Sequence, residues 1–231
     1  MSLSELWLEG SELVARAGDG RVVRGAALVG ARLGSEGTPV RYRIDAVASA
    51  GDVWSYQVSY FDVWRWSPLC DDGASSIPLE GRWDYRRAVE GGGSHVPTPG
   101  VFTFACEDAA LGKCVNMGYA PWRSDAKGTS LAAHHQACTR MLRADYCGDG
   151  RSFTKDGFTI NIYDGVGVQA DTESWTLEAE WNEQGAVCLD GRRLNGSSHV
   201  PRCSRDLALP TCGDKAHFSS GTLLMTEYQE R

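Results

Sequence analysis

Residues 134–150, HHQACTRMLRADYCGDG, hold two histidines, two cysteines, two arginines and two aspartates within seventeen positions. These side chains serve as metal ligands, nucleophiles and general acids or bases in other proteins. The segment therefore has three interpretations: a metal site, a catalytic thiol beside its base, or a structural helix tied down by disulfides. The other cysteines, the charge and the predicted elements of the chain help to distinguish these interpretations.

A catalytic thiol would be Cys138. His134 and His135 precede it by four and three residues, which places them on its side of a helix. Neighbours on one helix point outward side by side, whereas working thiol–imidazole pairs usually join separate elements. The same three residues are an incomplete ligand set for tetrahedral zinc, so neither a metal nor a cofactor is expected. We expect His135 to be packed and His134 to be solvated.

Acid–base chemistry is a further alternative. Asp145 with Asp149 would suit a glycoside hydrolase, and His135 is another candidate, but the separation of two carboxylates cannot be read from sequence. Near the C-terminus of a helix, the Asp145 carboxylate opposes the helix dipole and needs a compensating cation. Arg140 or Arg143 would supply it. A structural ion pair is therefore the simpler expectation.

The cysteine count bears on the compartment. The chain has eight cysteines, an even number, and no Cys-x-x-Cys pair. This pattern favours a disulfide framework in an oxidising compartment over a zinc site, with buried free thiols in a cytosolic protein as the alternative. The expected disulfide cysteines are Cys70, Cys106, Cys114, Cys138, Cys147, Cys188, Cys203 and Cys212.

Helix geometry limits how these cysteines pair. Cys138 and Cys147 are nine residues apart, about 13.5 Å along a helix axis, whereas bonded cysteines have Cα atoms about 4.4–6.8 Å apart. They cannot bond to each other if the helix reaches Cys147. Two antiparallel helices would instead pair Cys106 with Cys147 and Cys114 with Cys138. This is one of about 105 connectivities that eight cysteines allow.

Strands are predicted on both sides of this segment. Residues 40–47 and 53–61 alternate apolar and polar side chains, a period typical of an antiparallel sheet with one wet face. The glycines of residues 21–34 suit short strands or bulges. Further strands are predicted at residues 101–106, 158–164 and 174–181.

Two helices are predicted between the strands. The first covers about residues 108–118, and the second begins at Thr129 or Ser130 as N-cap and ends at Gly148. The fold class is therefore α+β weighted towards β, with antiparallel sheets and a disulfide-stapled helix pair in the middle of the chain.

A segment rich in glycine and proline, residues 89–100, interrupts the pattern. It separates a β-rich N-terminal region, residues 1–88, from a cysteine-rich α+β region, residues 101–231. It is either a linker between two domains or a surface loop within one. Because strands are predicted on both sides of the helix pair, we expect one compact unit.

Charge and hydropathy exclude several partners. The 231 residues carry a net charge of −7, so the chain lacks the positive field that attracts nucleic acid or anionic membranes. No apolar run approaches the roughly 18–20 residues of a transmembrane segment. The first ten residues do not look like a signal peptide. Because a disulfide framework implies an oxidising compartment, we expect an extracytoplasmic protein (secreted, periplasmic or lipid-anchored) whose leader is absent from this sequence. A leaderless cytosolic protein is the alternative.

Aromatic residues give the best indication of a ligand surface. Of eight tryptophans, Trp64, Trp66 and Trp83 lie near one another in sequence around a polar, turn-prone stretch. Exposed aromatic rings can stack on sugars, whereas tryptophans in a sheet core serve packing alone. The expected partner is a protein or a polysaccharide.

Several motifs resemble one known family. Ala144-Asp145-Tyr146-Cys147 is similar to the signature of the ADYC-domain proteins, which are mainly secreted or lipoprotein-like proteins of myxobacteria. Further stretches resemble the same pattern, and they are spread along residues 77–189: IPLEGRWDYR, GGGS, FACEDAALGKCVNMGYAPW, HQAC, IYDGVGVQ and GAVCL. The overall resemblance thus extends over most of the chain. The resemblance implies an extracytoplasmic setting and carries over no catalytic residue.

Three functions follow from these observations. The first is an extracytoplasmic disulfide-stabilised domain with a binding or structural role at the cell envelope. The second is a secreted hydrolase that uses His135, Asp145 or Asp149. The third is a cysteine-dependent enzyme centred on Cys138. An exposed aromatic cleft would favour the first, a pocket with converging carboxylates the second, and a reactive thiol the third.

Overall fold

The computed structural model describes residues 3–34, 40–194, 201–203, 208–213 and 218–229. The chain forms two compact units. The first contains Met1–Arg82 and Pro97–Lys113, and the second contains Trp83–Val96 and Cys114–Arg231. The segment 89–100 is shared between them. The expectation of one compact unit stays a prediction.

Strands dominate the secondary structure. In chain order the elements are β1 (Leu3–Glu9), β2 (Glu12–Ala17), β3 (Val22–Arg24), β4 (Arg32–Gly34), β5 (Arg41–Ala50), β6 (Val53–Asp62), β7 (Arg65–Pro68), β8 (Ser76–Glu80), β9 (Arg82–Trp83), β10 (His95–Val96), β11 (Phe102–Cys106), α1 (Ala110–Asn116), α2 (Ala132–Leu142), β12 (Ile160–Asp164), β13 (Thr176–Asn182), β14 (Gly185–Leu189) and β15 (Leu224–Tyr228). Short 3-10 helices cover Gly25–Leu28 and Asp71–Gly73.

The first unit is built on two antiparallel sheets. One has the strand order β1-β2-β3, and the other has the order β11-β8-β6-β5-β4, with β7 paired to β6. The period-two prediction is confirmed for β6 and for β5 as far as Ile44, because Ile44, Tyr56 and Val58 point into a core that also contains Leu13. Beyond Ile44 it is wrong, because a β-bulge shifts the register and places Val47 instead of Ala46 on this core. Leu13 N donates a hydrogen bond of 2.8 Å to Tyr56 Oη. The short strands predicted within residues 21–34 are β3 and β4.

The second unit places α2 against a four-stranded antiparallel sheet. The sheet has the order β12-β15-β13-β14, and α2 packs on β13, β14 and β15. Met141 of α2 and Trp181 of β13 are both fully buried in this core, together with Leu224. Cys114 of α1 is bonded to Cys138 of α2. The α+β class with a disulfide-stapled helix pair is therefore confirmed.

The second helix is shorter than predicted. Leu131 occupies the N-cap without a side-chain hydrogen bond, and Ser130 Oγ accepts from Ala132 N at 3.2 Å. The helix ends at Leu142 instead of near Gly148. Within the described ranges, neither helix has the length or the apolar character needed to cross a membrane.

The shorter helix changes the predicted disulfides. The pairing of Cys114 with Cys138 is confirmed, but the pairing of Cys106 with Cys147 is wrong. That prediction assumed that α2 continues to Cys147, which lies beyond the helix end. The other bonds are Cys70–Cys106, Cys147–Cys203 and Cys188–Cys212.

Candidate functional site

The C-terminal end of α2 is closed by a Schellman motif. Ala144 has a φ of 49°, the left-handed conformation that stops the helix. Ala144 N donates to Met141 O and Asp145 N donates to Arg140 O, both at 2.9 Å. Glycine is the common residue here, because the left-handed conformation costs other residues roughly 1–2 kcal/mol. Contacts of the flanking residues must therefore hold Ala144 in place.

The Arg140 side chain lies at the centre of this turn. Its Nη1 donates to Asp145 Oδ2 at 2.5 Å and to Gly92 O. Nη2 donates to Ser94 Oγ at 2.7 Å, and Nε donates to Glu183 O at 3.2 Å. The two charged side chains are 2% and 1% exposed, so Arg140 and Asp145 form a buried ion pair.

The Asp145 carboxylate has two further donors. It accepts from Asp149 N at 3.0 Å and from Gly150 N at 2.9 Å. Burial raises the pKa of the Asp145 carboxyl, and Arg140 with the two backbone donors acts in the opposite direction. The structural ion pair expected from the sequence is confirmed, with Arg140 as the cation instead of Arg143.

The glycine-rich segment 91–93 packs closely on this ion pair. Gly93 has a φ of 77°, and a Cβ at this position would lie 2.7 Å from Arg140 Nη1 and 3.4 Å from Asp145 Oδ2. A side chain would thus displace the guanidinium from its partner. Close approach of the backbone explains why glycine is required here.

Tyr146 anchors the same turn to the sheet. Its ring stacks on Trp181 with centroids 5.3 Å apart, and its hydroxyl donates to Glu178 Oε1 at 2.8 Å. Arg193 forms a second buried ion pair with Glu178 and donates through Nη2 to Met141 O at 2.7 Å. Burial raises the pKa of Tyr146. The segment 144–147 thus acts as a structural clasp at the end of α2.

Cys138 has no free thiol, because its sulfur is bonded to Cys114. Only a thiolate is a nucleophile or a metal ligand. The cysteine-dependent enzyme centred on Cys138 is therefore wrong for this oxidised structure. The same bond removes Cys138 from a metal set with His134 and His135.

A second group of possible metal ligands also contains cysteines whose sulfurs are bonded in a disulfide. Within the described ranges, ligand atoms of Glu180, Cys188 and Cys212 lie within 4.8 Å of one another. The two cysteines are bonded to each other, and Glu180 accepts from Ser219 N and Oγ at 3.0 Å. The group is a disulfide beside a hydrogen-bonded carboxylate.

Both histidines of α2 are buried. His135 lies edge-on to Trp83 with centroids 5.9 Å apart, so the prediction that it is packed is confirmed. The prediction that His134 is solvated is wrong: it is 4% exposed and stacks on Tyr119. The helix is buried from His134 to Met141, so it has no solvated face there. Burial lowers the pKa of His134.

The candidate acid–base pair is engaged in structural hydrogen bonds. Asp149 accepts from Arg151 N at 3.1 Å and forms an ion pair with its Nη2 at 2.6 Å. Asp145 likewise forms an ion pair, with Arg140. Neither carboxylate is left without donors.

A cavity of about 620 Å³ lies beside the clasp. Arg140, Tyr146 and the Cys147–Cys203 disulfide form part of its wall. Among the described lining residues, Glu90 carries the one carboxylate. The converging carboxylates that a glycoside hydrolase needs are not found in this part of the wall.

The three candidate tryptophans have different environments. In the second unit, Trp83 is 7% exposed, so it serves packing and offers no open ring face. In the first unit, Trp64 is 90% exposed and Trp66 is half-buried. Trp64 and Val63 form the tip of the tight hairpin between β6 and β7.

Sequence reasoning missed the arginines beside Trp66. The Cζ atoms of Arg43 and Arg32 lie 4.7 Å and 5.8 Å from the centroid of the Trp66 ring. The available signal was the alternation of Arg41 and Arg43 with apolar residues in β5, which places both arginines on the wet face of the sheet.

Comparison with known proteins agrees with the signature at the end of α2. The family model of the ADYC domain matches residues 25–195. Neither the curated proteins nor the solved structures gave a match. Because the match spans most of the sequence, the chain belongs to the ADYC-domain family.

Proposed function

We propose that this chain is an extracytoplasmic, disulfide-stabilised binding domain of the cell envelope, and that the β6–β7 hairpin binds a polysaccharide. The observation that carries the proposal is Trp64, which is 90% exposed at the hairpin tip. Val63 and Phe61 in the same hairpin are 72% and 38% exposed. The hairpin thus exposes three apolar side chains within four consecutive positions.

An exposed tryptophan at a turn needs a reason. Full burial of a large apolar side chain stabilises a protein by roughly 1.5–3 kcal/mol, and Trp64 forgoes this gain. Contiguous exposed apolar residues typically mark interaction sites. Rigid aromatic rings also lose little conformational entropy on binding. These arguments support a ligand that covers Trp64, and the flat indole ring suits the apolar face of a sugar.

The extracytoplasmic part of the proposal is supported by the cysteines. All eight are bonded in four disulfides. Disulfides persist in oxidising compartments and are rare in the cytosol of most organisms.

Binding to soluble polysaccharides tests the proposal. Affinity electrophoresis would compare the wild type with Trp64→Ala in gels that contain neutral or acidic polysaccharides, and purified peptidoglycan sacculi would be tested by co-sedimentation. We expect Trp64→Ala to bind at least tenfold more weakly. Tyr85→Ala is the matched control, because Tyr85 is also exposed, at 68%. Equal binding by the wild type and Trp64→Ala would contradict the proposal. If the wild type binds none of these polymers, the polysaccharide is the wrong occupant and a protein partner replaces it.

A further inference from the structure

Arginines and aromatic rings share one face of the larger sheet in the first unit. Arg43 is in register with Arg32 on β4 and with Ser59 on β6. Phe61 is in register with Trp66 on β7, and their rings meet edge-to-face at 5.4 Å. The contacts of Arg32 and Arg43 with Trp66 place all four side chains on the same side.

This face carries an excess of positive charge. Arg41 precedes Arg43 by two residues in β5, so it lies on the same face, and it is exposed like Arg32. Arg43 donates to Asp45. Arg32 and Arg41 have no carboxylate partner in the described part of the chain. Counted over the described residues, the face has three arginines and one aspartate, whereas the chain as a whole has a net charge of −7.

We propose that this arginine–tryptophan face (Arg32, Arg41, Arg43, Phe61 and Trp66), together with Trp64 at the hairpin tip, binds a polysaccharide whose sugars carry carboxylates. This inference rests on the proposed function and adds the chemical class of the ligand. The sugar ring lies on the indole of Trp64, and the carboxylates accept from the guanidinium groups.

The chemistry of arginine favours an anionic ligand here. A guanidinium presents a planar fork of N–H donors that matches a carboxylate, and such charge-assisted hydrogen bonds are roughly twice as strong as neutral ones. Arg32 and Arg41 are exposed, and among the described residues neither has a carboxylate partner, so they can form these bonds without breaking an ion pair seen there. The net charge of −7 repels any long polyanion, so this small group of arginines suits a short stretch of carboxylated sugars and not the extended backbone of a nucleic acid.

The dimensions of the face suit an extended ligand. Strands β7, β6, β5 and β4 lie side by side at this end of the sheet. At about 4.8 Å between neighbours, the face is about 14 Å wide. Its width therefore exceeds one sugar ring, so Trp64 and the arginines can hold different units of one chain.

Calorimetric titration with oligogalacturonate and with a neutral maltooligosaccharide of equal length tests the inference. We expect the wild type to bind oligogalacturonate at least tenfold more tightly. Arg32→Gln/Arg41→Gln should weaken oligogalacturonate binding at least tenfold and leave the neutral sugar unaffected. Arg21→Gln/Arg87→Gln, which removes the same charge at other exposed positions, should stay within twofold of the wild type. Single Arg41→Gln checks the result without disturbing the contact of Arg32 with Trp66.

The outcomes separate this inference from the proposed function. Equal affinity for both sugars, or unchanged binding in Arg32→Gln/Arg41→Gln, overturns the carboxylate inference. In that case, loss of binding in Trp64→Ala still supports the hairpin as a polysaccharide site. Equal affinity and equal salt dependence for oligogalacturonate and sulfated dextran would show general attraction of anions and overturn the carboxylate preference. If neither sugar binds and Trp64→Ala behaves as wild type throughout, both proposals fail.

Discussion

Arg140 and Asp145 meet across the end of helix α2, with a hydrogen bond of 2.5 Å between Nη1 and Oδ2. The pair is buried and joins the helix to the turn in which Ala144 adopts a positive φ. The same guanidinium donates to Gly92 O and Ser94 Oγ. The aspartate of the ADYC signature therefore has a structural role. It binds Arg140, whose guanidinium also donates to two other segments of the second unit, residues 92–94 and Glu183.

Asp145→Asn tests the energetic part of this ion pair. The substitution keeps the size of the side chain but leaves the Arg140 guanidinium buried without its carboxylate. Breaking one partner of a buried pair costs about 3–5 kcal/mol. We expect the free energy of unfolding, measured with urea under oxidising conditions, to fall by an amount of this order.

An exposed ion pair provides the comparison. Asp19 and Arg21 form an ion pair of 2.7 Å, but their side chains are more than half exposed. Such pairs contribute little to stability, so Asp19→Asn should leave the unfolding midpoint unchanged. Equal effects of Asp145→Asn and Asp19→Asn would show that the buried ion pair contributes no more to the free energy of unfolding than the exposed one.

Gly93→Ala tests the close packing on Arg140. Alanine at Gly93 would have to accept a positive φ and would also place its Cβ 2.7 Å from Arg140 Nη1. Gly91→Ala is the control, because Gly91 has a similar φ of 74° and its nearest contact would be Ser94 Oγ at 3.9 Å. Both variants bear the conformational cost of roughly 1–2 kcal/mol, and Gly93→Ala should lose about 1–3 kcal/mol more. Indistinguishable urea midpoints of the two variants would contradict the steric argument.

Local periodicity explains what could be predicted of the fold. Strand β6, and β5 as far as Ile44, alternate between core and solvent, and this period is visible in the sequence because one face of each strand is buried. The β-bulge after Ile44, which turns Val47 to the core, has no such signal. The end of α2 was not predictable in the same way. Its stop is Ala144, which carries no local signal for a left-handed conformation, and its support comes from Gly92 and Ser94, about fifty residues earlier in the chain.

The errors at the site share this cause. The predicted pairing of Cys147 with Cys106 requires α2 to reach Cys147, whereas the helix ends at Leu142 and the partner of Cys147 is Cys203. The prediction of a solvated His134 rests on a helix with one buried face, whereas α2 is buried on nearly all sides from His134 to Met141. The ion pair of Asp145 was predictable, because its cation, Arg140, lies five residues earlier in the last turn of α2.

The disulfide connectivity can be checked with one digest. Trypsin would place every cysteine in a different peptide, so each bond would appear as one cross-linked pair. The cysteine-containing peptides are 66–82, 88–113, 114–123, 128–140, 144–151, 156–192, 203–205 and 206–215. Under non-reducing conditions we expect mass spectrometry to find 66–82 with 88–113, 114–123 with 128–140, 144–151 with 203–205, and 156–192 with 206–215. An alkylated cysteine in peptide 128–140 would contradict the Cys114–Cys138 bond and return Cys138 to consideration as a reactive thiol.

Cooperative unfolding of the whole chain would support the expectation of one compact unit. Cleavage within residues 91–93 cannot release separate fragments without reduction, because the Cys70–Cys106 bond joins the two sides of the cut. The chain also passes between the two units three times, at residues 82–83, 96–97 and 113–114. We therefore expect one calorimetric transition of the uncut protein, with equal calorimetric and van't Hoff enthalpies. Two resolved transitions would show that the units unfold independently.

Acid sensitivity should depend on His134. Burial lowers its pKa in the folded protein below the ordinary value of 6.5, so as pH falls through 6.5 the unfolded chain takes up a proton that the folded protein does not. The free energy of unfolding therefore decreases, by at most about 1.4 kcal/mol per pH unit for one group, until the pH reaches the lowered pKa.

The substitution His134→Phe keeps a ring that can stack on Tyr119 but removes the titrating group. Its urea stability should depend less on pH just below 6.5 than that of the wild type. Tyr119→Phe is the control, because it removes the 2.6 Å hydrogen bond from Tyr119 to Asp164 while keeping the histidine buried. Tyr119→Phe should lose stability at every pH and keep the wild-type slope. If the slope of His134→Phe equals that of the wild type, His134 is not the group that makes the fold sensitive to acid.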